Sequence, residues 1–175
     1  MVLKLAEQGK LSLENKLVDY FPDIINSHLI TITQLLQHRS GLFNYQNDSS
    51  GIKNSDKPMA KESFLKLLSR EFPDSKPNKA QIFNSANYVL LGYIIEEVTG
   101  KSYAAALKEL ITDPLELKDT YYASDVPNPA KDEARPFLFE DNKWLRAMDT
   151  HPSVLHAAGG IVSTAADMTA FMTAL

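Results

Sequence analysis

The stretch Ser85-Ala86-Asn87-Tyr88-Val89-Leu90-Leu91-Gly92-Tyr93-Ile94-Ile95-Glu96-Glu97-Val98 decides how this chain folds. Tyr88, Leu91, Ile94, Ile95 and Val98 recur at helical spacing, so the segment reads as the longest and most apolar helix of the molecule. Gly100 supplies the stop, and Ser102 caps a second helix through Ile111 that Pro114 ends. Upstream, Ala60 to Arg70 reads as an amphipathic helix with Phe64, Leu67 and Leu68 on one face, followed by a Pro73–Pro77 loop. Thr31 caps a helix carrying Leu35, Leu36 and His38 and expected to end at Ser40-Gly41. A polar loop follows from Phe43 to Pro58. At the far ends, Met1 to Gln8 reads as the back half of a longer helix. Thr164 and Asp167 form a capping-box start for a helix running to Leu175.

Short strands are expected at Thr120–Tyr122, Arg135–Phe139 and Lys143–Leu145, between turn residues. The fold class is therefore mainly α with a few short β-strands, one domain over residues 1–175. An apolar fraction of 44% and a charged fraction of 23% are those of a globular protein. Eighteen basic against 22 acidic residues leave a net charge of −4 and no basic block, which argues against a nucleic-acid partner. No apolar run reaches the length of a membrane span, and no signal-peptide pattern opens the chain. The absence of cysteine removes disulfides, thiolate metal sites and cysteine nucleophiles together.

Several patterns invite a chemical reading. Thr99-Gly100-Lys101-Ser102 ends like a phosphate-binding loop. Yet that motif's first glycine would fall at Ile95, and the segment follows a helix rather than a strand. Helix stop and helix cap explain it. His151 and His156 lack a third ligand at metal spacing, so no metal or other cofactor is expected. Two Ser-x-x-Lys matches occur, Ser50 with Lys53 and Ser63 with Lys66, a spacing that can set an amine one helical turn from a hydroxyl. The first lies in the polar loop and the second on a surface-type helix, so neither is assigned a catalytic role.

Five further segments carry a resemblance. Leu5-Ala6-Glu7-Gln8-Gly9-Lys10-Leu11-Ser12-Leu13-Glu14 comes first. Ile32-Thr33-Gln34-Leu35-Leu36-Gln37-His38-Arg39-Ser40-Gly41-Leu42 and the Asn87–Glu96 helix with Thr99-Gly100-Lys101-Ser102-Tyr103 follow. Pro114-Leu115-Glu116-Leu117-Lys118-Asp119-Thr120 and Ala157-Ala158-Gly159-Gly160-Ile161-Val162-Ser163-Thr164-Ala165-Ala166-Asp167-Met168 complete the set. In this order and spacing they resemble serine β-lactamase-related proteins: class C β-lactamases, DD-peptidases (penicillin-binding proteins) and esterases.

The resemblance implies a β-lactamase/transpeptidase-like α/β fold in which a helical subdomain packs on an antiparallel sheet. This chain would be the helical subdomain, with the flanking sheet segments missing. The family's Ser-x-x-Lys nucleophile box would fall roughly ten residues before Met1, and its closing Lys- or His-x-Gly strand after Leu175. The Tyr-x-Asn box should lie inside. Counting nine residues back from Gly92, or six forward from Pro77, lands on Phe83 both times, so the box reads Phe83-Asn84-Ser85. Phenylalanine keeps a ring but cannot carry a proton. Phe83 and Ser85 are thus the substrate-binding positions that the resemblance implies, and no catalytic residue is assigned. The bland alternative makes Phe83 a core aromatic and Ser85 the helix cap. The resemblance also implies a small-molecule or peptidoglycan-like substrate for an intact parent. A second copy of the chain is the expected partner for exposed apolar faces on the Met1 helix and on Gly160–Leu175. The rival reading is a non-catalytic binding or regulatory module, which the Phe83 substitution fits.

Overall fold

The computed structural model describes residues 1–47, 55–124, 126–128 and 132–174. Helices dominate: α1 (Val2–Glu7), α2 (Ile32–Leu36), α3 (Lys61–Arg70), α4 (Ser85–Thr99), α5 (Tyr103–Leu107), α6 (Pro152–Leu155) and α7 (Ala165–Thr173). Among the described residues four short strands, β1 (Tyr121–Tyr122), β2 (Phe137–Glu140), β3 (Lys143–Arg146) and β4 (Ile161–Val162), form two antiparallel pairs, β1 with β4 and β2 with β3. The helix-rich architecture read from periodicity is the one observed.

Helix α4 is the axis of the molecule. Its cap Asn84 and residues 85–87 and 89–95 are all buried, so it is covered around most of its girth rather than along one stripe, with Tyr88 half-buried and Glu97 exposed. Fully buried Leu5, Leu17, Ile30, Ile32, Leu35, Phe64, Leu68, Val89, Leu90 and Ile94 make one continuous core with it. Gly92 lets the chain after α6 come close: a Cβ there would lie 2.6 Å from the Ala157 Cβ and 3.0 Å from the His156 ring. Gly100 ends α4 in the left-handed region at φ +65°, and the Ser102 hydroxyl then accepts the Ala105 N–H to start α5. The helix-stop reading of Thr99–Ser102 holds. After α5 the backbone widens into one turn of π-helix, Lys108–Thr112, which the spacing did not announce.

Helix α2 stops earlier than its sequence suggested. Thr31 does cap it, in a reciprocal box with Gln34. The helix then ends at Leu36 because His38 takes φ +55°, a left-handed conformation that no further helical turn can follow. Helix α1 corrects a second expectation. Its apolar face is not left open: Val2 and Leu5 are in the core, and the Lys4 ammonium donates to the Leu110 carbonyl at 2.9 Å. Leu3 alone of its large apolar side chains is exposed. Helix α7 does expose its apolar residues; none is buried, and Met168 and Met172 face solvent.

The cap of α7 also locks a distant turn. Thr164 accepts the Asp167 N–H at 3.2 Å, while the Asp167 carboxylate accepts the Asp119 N–H at 2.8 Å and the Thr120 hydroxyl at 2.7 Å. Two of the segments that carry the resemblance are thereby tied together by one side chain. The β2–β3 hairpin turns through Asp141-Asn142, both with positive φ as a two-residue turn of this hand requires.

Candidate functional site

The N-terminus of α4 gathers the polar side chains of two separate segments. Asn84, not Ser85, is the helix cap: its side-chain oxygen accepts the Ala86 N–H at 2.9 Å, and its amide nitrogen donates to the Leu42 carbonyl at 2.7 Å. Asn87, one turn on, is fully buried and fully used. Its NH2 donates to the Asn84 carbonyl at 2.9 Å and to His38 Nδ1 at 3.2 Å, and its oxygen accepts the Ser40 hydroxyl. The Asn84 N–H donates to the same His38 nitrogen at 3.3 Å. Buried amides are stable only when so satisfied, and here they tie the head of α4 to the segment after α2.

Phe83 stands next to that cap. It is 70% exposed, and Ile82 beside it is 57% exposed. The ring is therefore not a core aromatic; its one described ring partner is the His38 imidazole, with centroids 4.9 Å apart. His38 also stacks on Tyr88 at 5.0 Å. Ser85 points the other way. It is buried, and its hydroxyl donates to the Gln46 side-chain oxygen at 2.8 Å. Of the two positions singled out in the sequence, the structure presents Phe83 outward and engages the Ser85 hydroxyl internally. His38, Ser40 and Asn87 were not singled out, although all three lie inside segments that carry the resemblance. Their signal was the clustering of polar residues within otherwise apolar motifs.

The other patterns separate cleanly. Ser63 and Lys66 both stand exposed on α3 with no hydrogen bond between them, while Ser50 and Lys53 lie outside the described residues. His151 caps α6, accepting the Ser153 N–H at 3.2 Å. His156 instead is buried among Tyr93, Tyr103 and Tyr122, with ring centroids at 4.6, 5.0 and 5.6 Å. Its Nδ1 meets the Tyr122 hydroxyl at 3.2 Å, and its Nε2 lies 3.9 Å from the Glu96 carboxylate without a hydrogen bond. Burial, helped by the Lys61 charge, pushes this imidazole down to about 4, so it is neutral at pH 7. The same burial raises the hydroxyls of Tyr93 and Tyr103 above the ordinary tyrosine range. Among the described residues, no three metal-ligating side chains converge. No helix among them is long and apolar enough to cross a membrane.

Comparison with known proteins gives this geometry a context. The Beta-lactamase family model matches residues 1–175. The teichoic acid D-alanine hydrolase of Staphylococcus aureus is 30% identical over 178 aligned residues, which cover 99% of this chain and 42% of the relative. Among solved structures, D-amino acid amidase from Ochrobactrum anthropi SV3, in complex with L-phenylalanine, superposes with a TM-score of 0.83 at 30% identity over 97% of this chain and 49% of that one. FmtA from Staphylococcus aureus superposes with a TM-score of 0.81 at 27% identity, covering 99% and 47%. The chain spans about half the length of the relatives it matches, or less.

Proposed function

The chain belongs to the Beta-lactamase family, whose relatives here are serine-hydrolase-like, and from that membership we propose that it is the helical, substrate-side part of an acyl-serine hydrolase. In such a reaction a serine oxygen attacks an amide or ester carbonyl, the amine or alcohol leaves, and water releases the acid. The serine and lysine for that step lie outside these 175 residues in this reading, so the chain alone does not turn over substrate. D-amino-acid amides and esters are the substrate class, by likeness to the amidase and the teichoic acid hydrolase.

The observation that carries the reading is the Phe83–Ile82 ledge, exposed at the start of α4 and backed by a buried, fully paired amide network. A ledge of this kind suits the apolar side chain of an acyl group. Titrating the chain with D-phenylalanine amide tests it by amide resonances. Shifts centred on Ile82 and Phe83 that vanish in Phe83→Ala are expected. Shifts confined to other surfaces would remove the site. Fluorescent penicillin followed by intact-mass measurement should leave the chain unmodified. A stoichiometric adduct lost in Ser50→Ala or Ser63→Ala would overturn the assignment of the nucleophile to another segment.

One observation favours a second reading, a non-catalytic binding module: Phe83 has no hydroxyl where the family resemblance places a proton carrier. The reading frame flanking these residues separates the two. A Ser-x-x-Lys roughly ten residues upstream supports the hydrolase, and its absence supports the module. We further propose that the open face of α7, with Met168 and Met172, takes a second copy of the chain.

A further inference from the structure

His38 occupies a position that normally goes to glycine. It follows the last turn of α2 at φ +55°, a conformation in which a side chain costs about 1 kcal/mol relative to glycine. Strain retained in a fold points to a side chain that is needed where it stands. The surroundings show what the imidazole does there. Its Nδ1 receives two donors, the Asn84 N–H at 3.3 Å and the Asn87 NH2 at 3.2 Å. The Asn87 group at His38 is the NH2 end, because the same nitrogen reaches the Asn84 carbonyl, which can only accept. The backbone takes part as well, since the His38 carbonyl accepts the Ile82 N–H at 3.0 Å. The ring stacks on Tyr88 and meets Phe83 at a tilt of 40°.

Two N–H donors on one ring nitrogen fix the chemistry of the other. Nδ1 must be the unprotonated nitrogen, so the neutral ring carries its hydrogen on Nε2. An imidazolium would turn N–H against N–H at both contacts. Asn84 and Asn87 in turn are the groups that hold residues 83–85 at the head of α4.

We infer that His38 is a positioning residue: as the neutral Nε2–H tautomer it anchors the Asn84 backbone and the Asn87 amide, and so sets the Phe83 ring as an outward ledge. That the ledge meets substrate rests on the function proposed above; the anchoring itself does not. The strained backbone is the consequence of needing an acceptor at a helix stop.

The test uses variants that keep the backbone conformation and differ only in the acceptor. Asparagine tolerates the left-handed region and places its oxygen near the site of Nδ1; glycine relieves the strain and offers nothing. Amide exchange by NMR on the full chain is the readout. Asn84 should exchange at the wild-type rate in His38→Asn and about 10-fold faster in His38→Gly. The Asn78 amide, bonded to the Arg39 carbonyl, should be unmoved in both. Nitrogen-detected spectra of the unaltered chain at pH 7 should show His38 protonated on Nε2, a measurement that depends on no variant. A His38→Gly protein that keeps slow Asn84 exchange would overturn the inference. So would a His38 ring protonated on Nδ1. Failure of D-phenylalanine amide to bind while both results hold would count against the proposed function and leave the anchoring intact.

Discussion

Acid should weaken this fold through one residue, His156. The imidazole of an unfolded chain takes up a proton below about pH 6.5, its ordinary value. In the folded protein, burial and the Lys61 charge hold the same ring down to about 4. Between those two values the unfolded state binds the extra proton, so stability falls as the pH drops from about 6.5 toward 4. A gap of some 2.5 units corresponds to about 3 kcal/mol as an upper figure. The opposing influence is Glu96, whose carboxylate sits 3.9 Å from Nε2 and would favour an imidazolium. It makes no hydrogen bond to the ring, and three tyrosines exclude water from the imidazole, so desolvation wins. Urea midpoints at pH 7, 6, 5 and 4 for wild type and His156→Phe isolate the effect. Carboxylates titrate in both proteins, and only the difference between them reports His156. Phenylalanine keeps the ring stack and gives up the Tyr122 contact, so the variant is expected to start less stable and to lose less with acid. Parallel curves would refute the reasoning. A wild type that gains on the variant between pH 7 and 5 would show that Glu96 governs the ring.

Gly92→Ala gains helix propensity of about 1 kcal/mol, but its methyl would meet the Ala157 Cβ at 2.6 Å. Overpacking should prevail, with a net loss of about 1–2 kcal/mol in chemical denaturation. Asp167→Ala removes the acceptor for the Asp119 N–H and the Thr120 hydroxyl and should lower stability by about 1–3 kcal/mol, with hydrogen exchange at Asp119 the local readout. Phe83→Tyr adds a hydroxyl to a ring that is already 70% exposed, so the denaturation midpoint should stay within about 0.5 kcal/mol of wild type. Light scattering should detect association of the chain that a charge placed at Met168→Glu or Met172→Glu diminishes; a clean monomer at high concentration would refute the second-copy proposal for α7.

Most helices were legible because they depend on local signals. Thr31, Ser102 and Thr164 cap where their types and spacing say, and Gly100 stops α4 where only a left-handed residue fits. What periodicity could not give was degree of burial. Tyr88 and Val98 look like core positions along the apolar stripe of α4, yet they are only partly covered, while Asn87 is wholly buried. A helix buried around most of its girth through residue 95 has little polar face to read. The end of α2 was missed for a related reason: a histidine in the left-handed region carries no sequence mark of the kind glycine does.

The site shows where a motif ruler stops being informative. Counting from Gly92 and from Pro77 places Phe83 and Ser85, but counting cannot say which way a side chain faces. Direction here follows from the cap. Because Asn84 takes the N-cap role, residue 83 falls outside the helix and turns to solvent, while residue 85 becomes its first buried turn. The cap is in turn held by Leu42 and His38, more than 40 residues earlier in the chain. Such a long-range amide network has no periodic signature, only an unusual density of Asn, Ser and His inside apolar segments. That density is the feature to seek in sequence, since buried polar side chains persist only where each has found its partner.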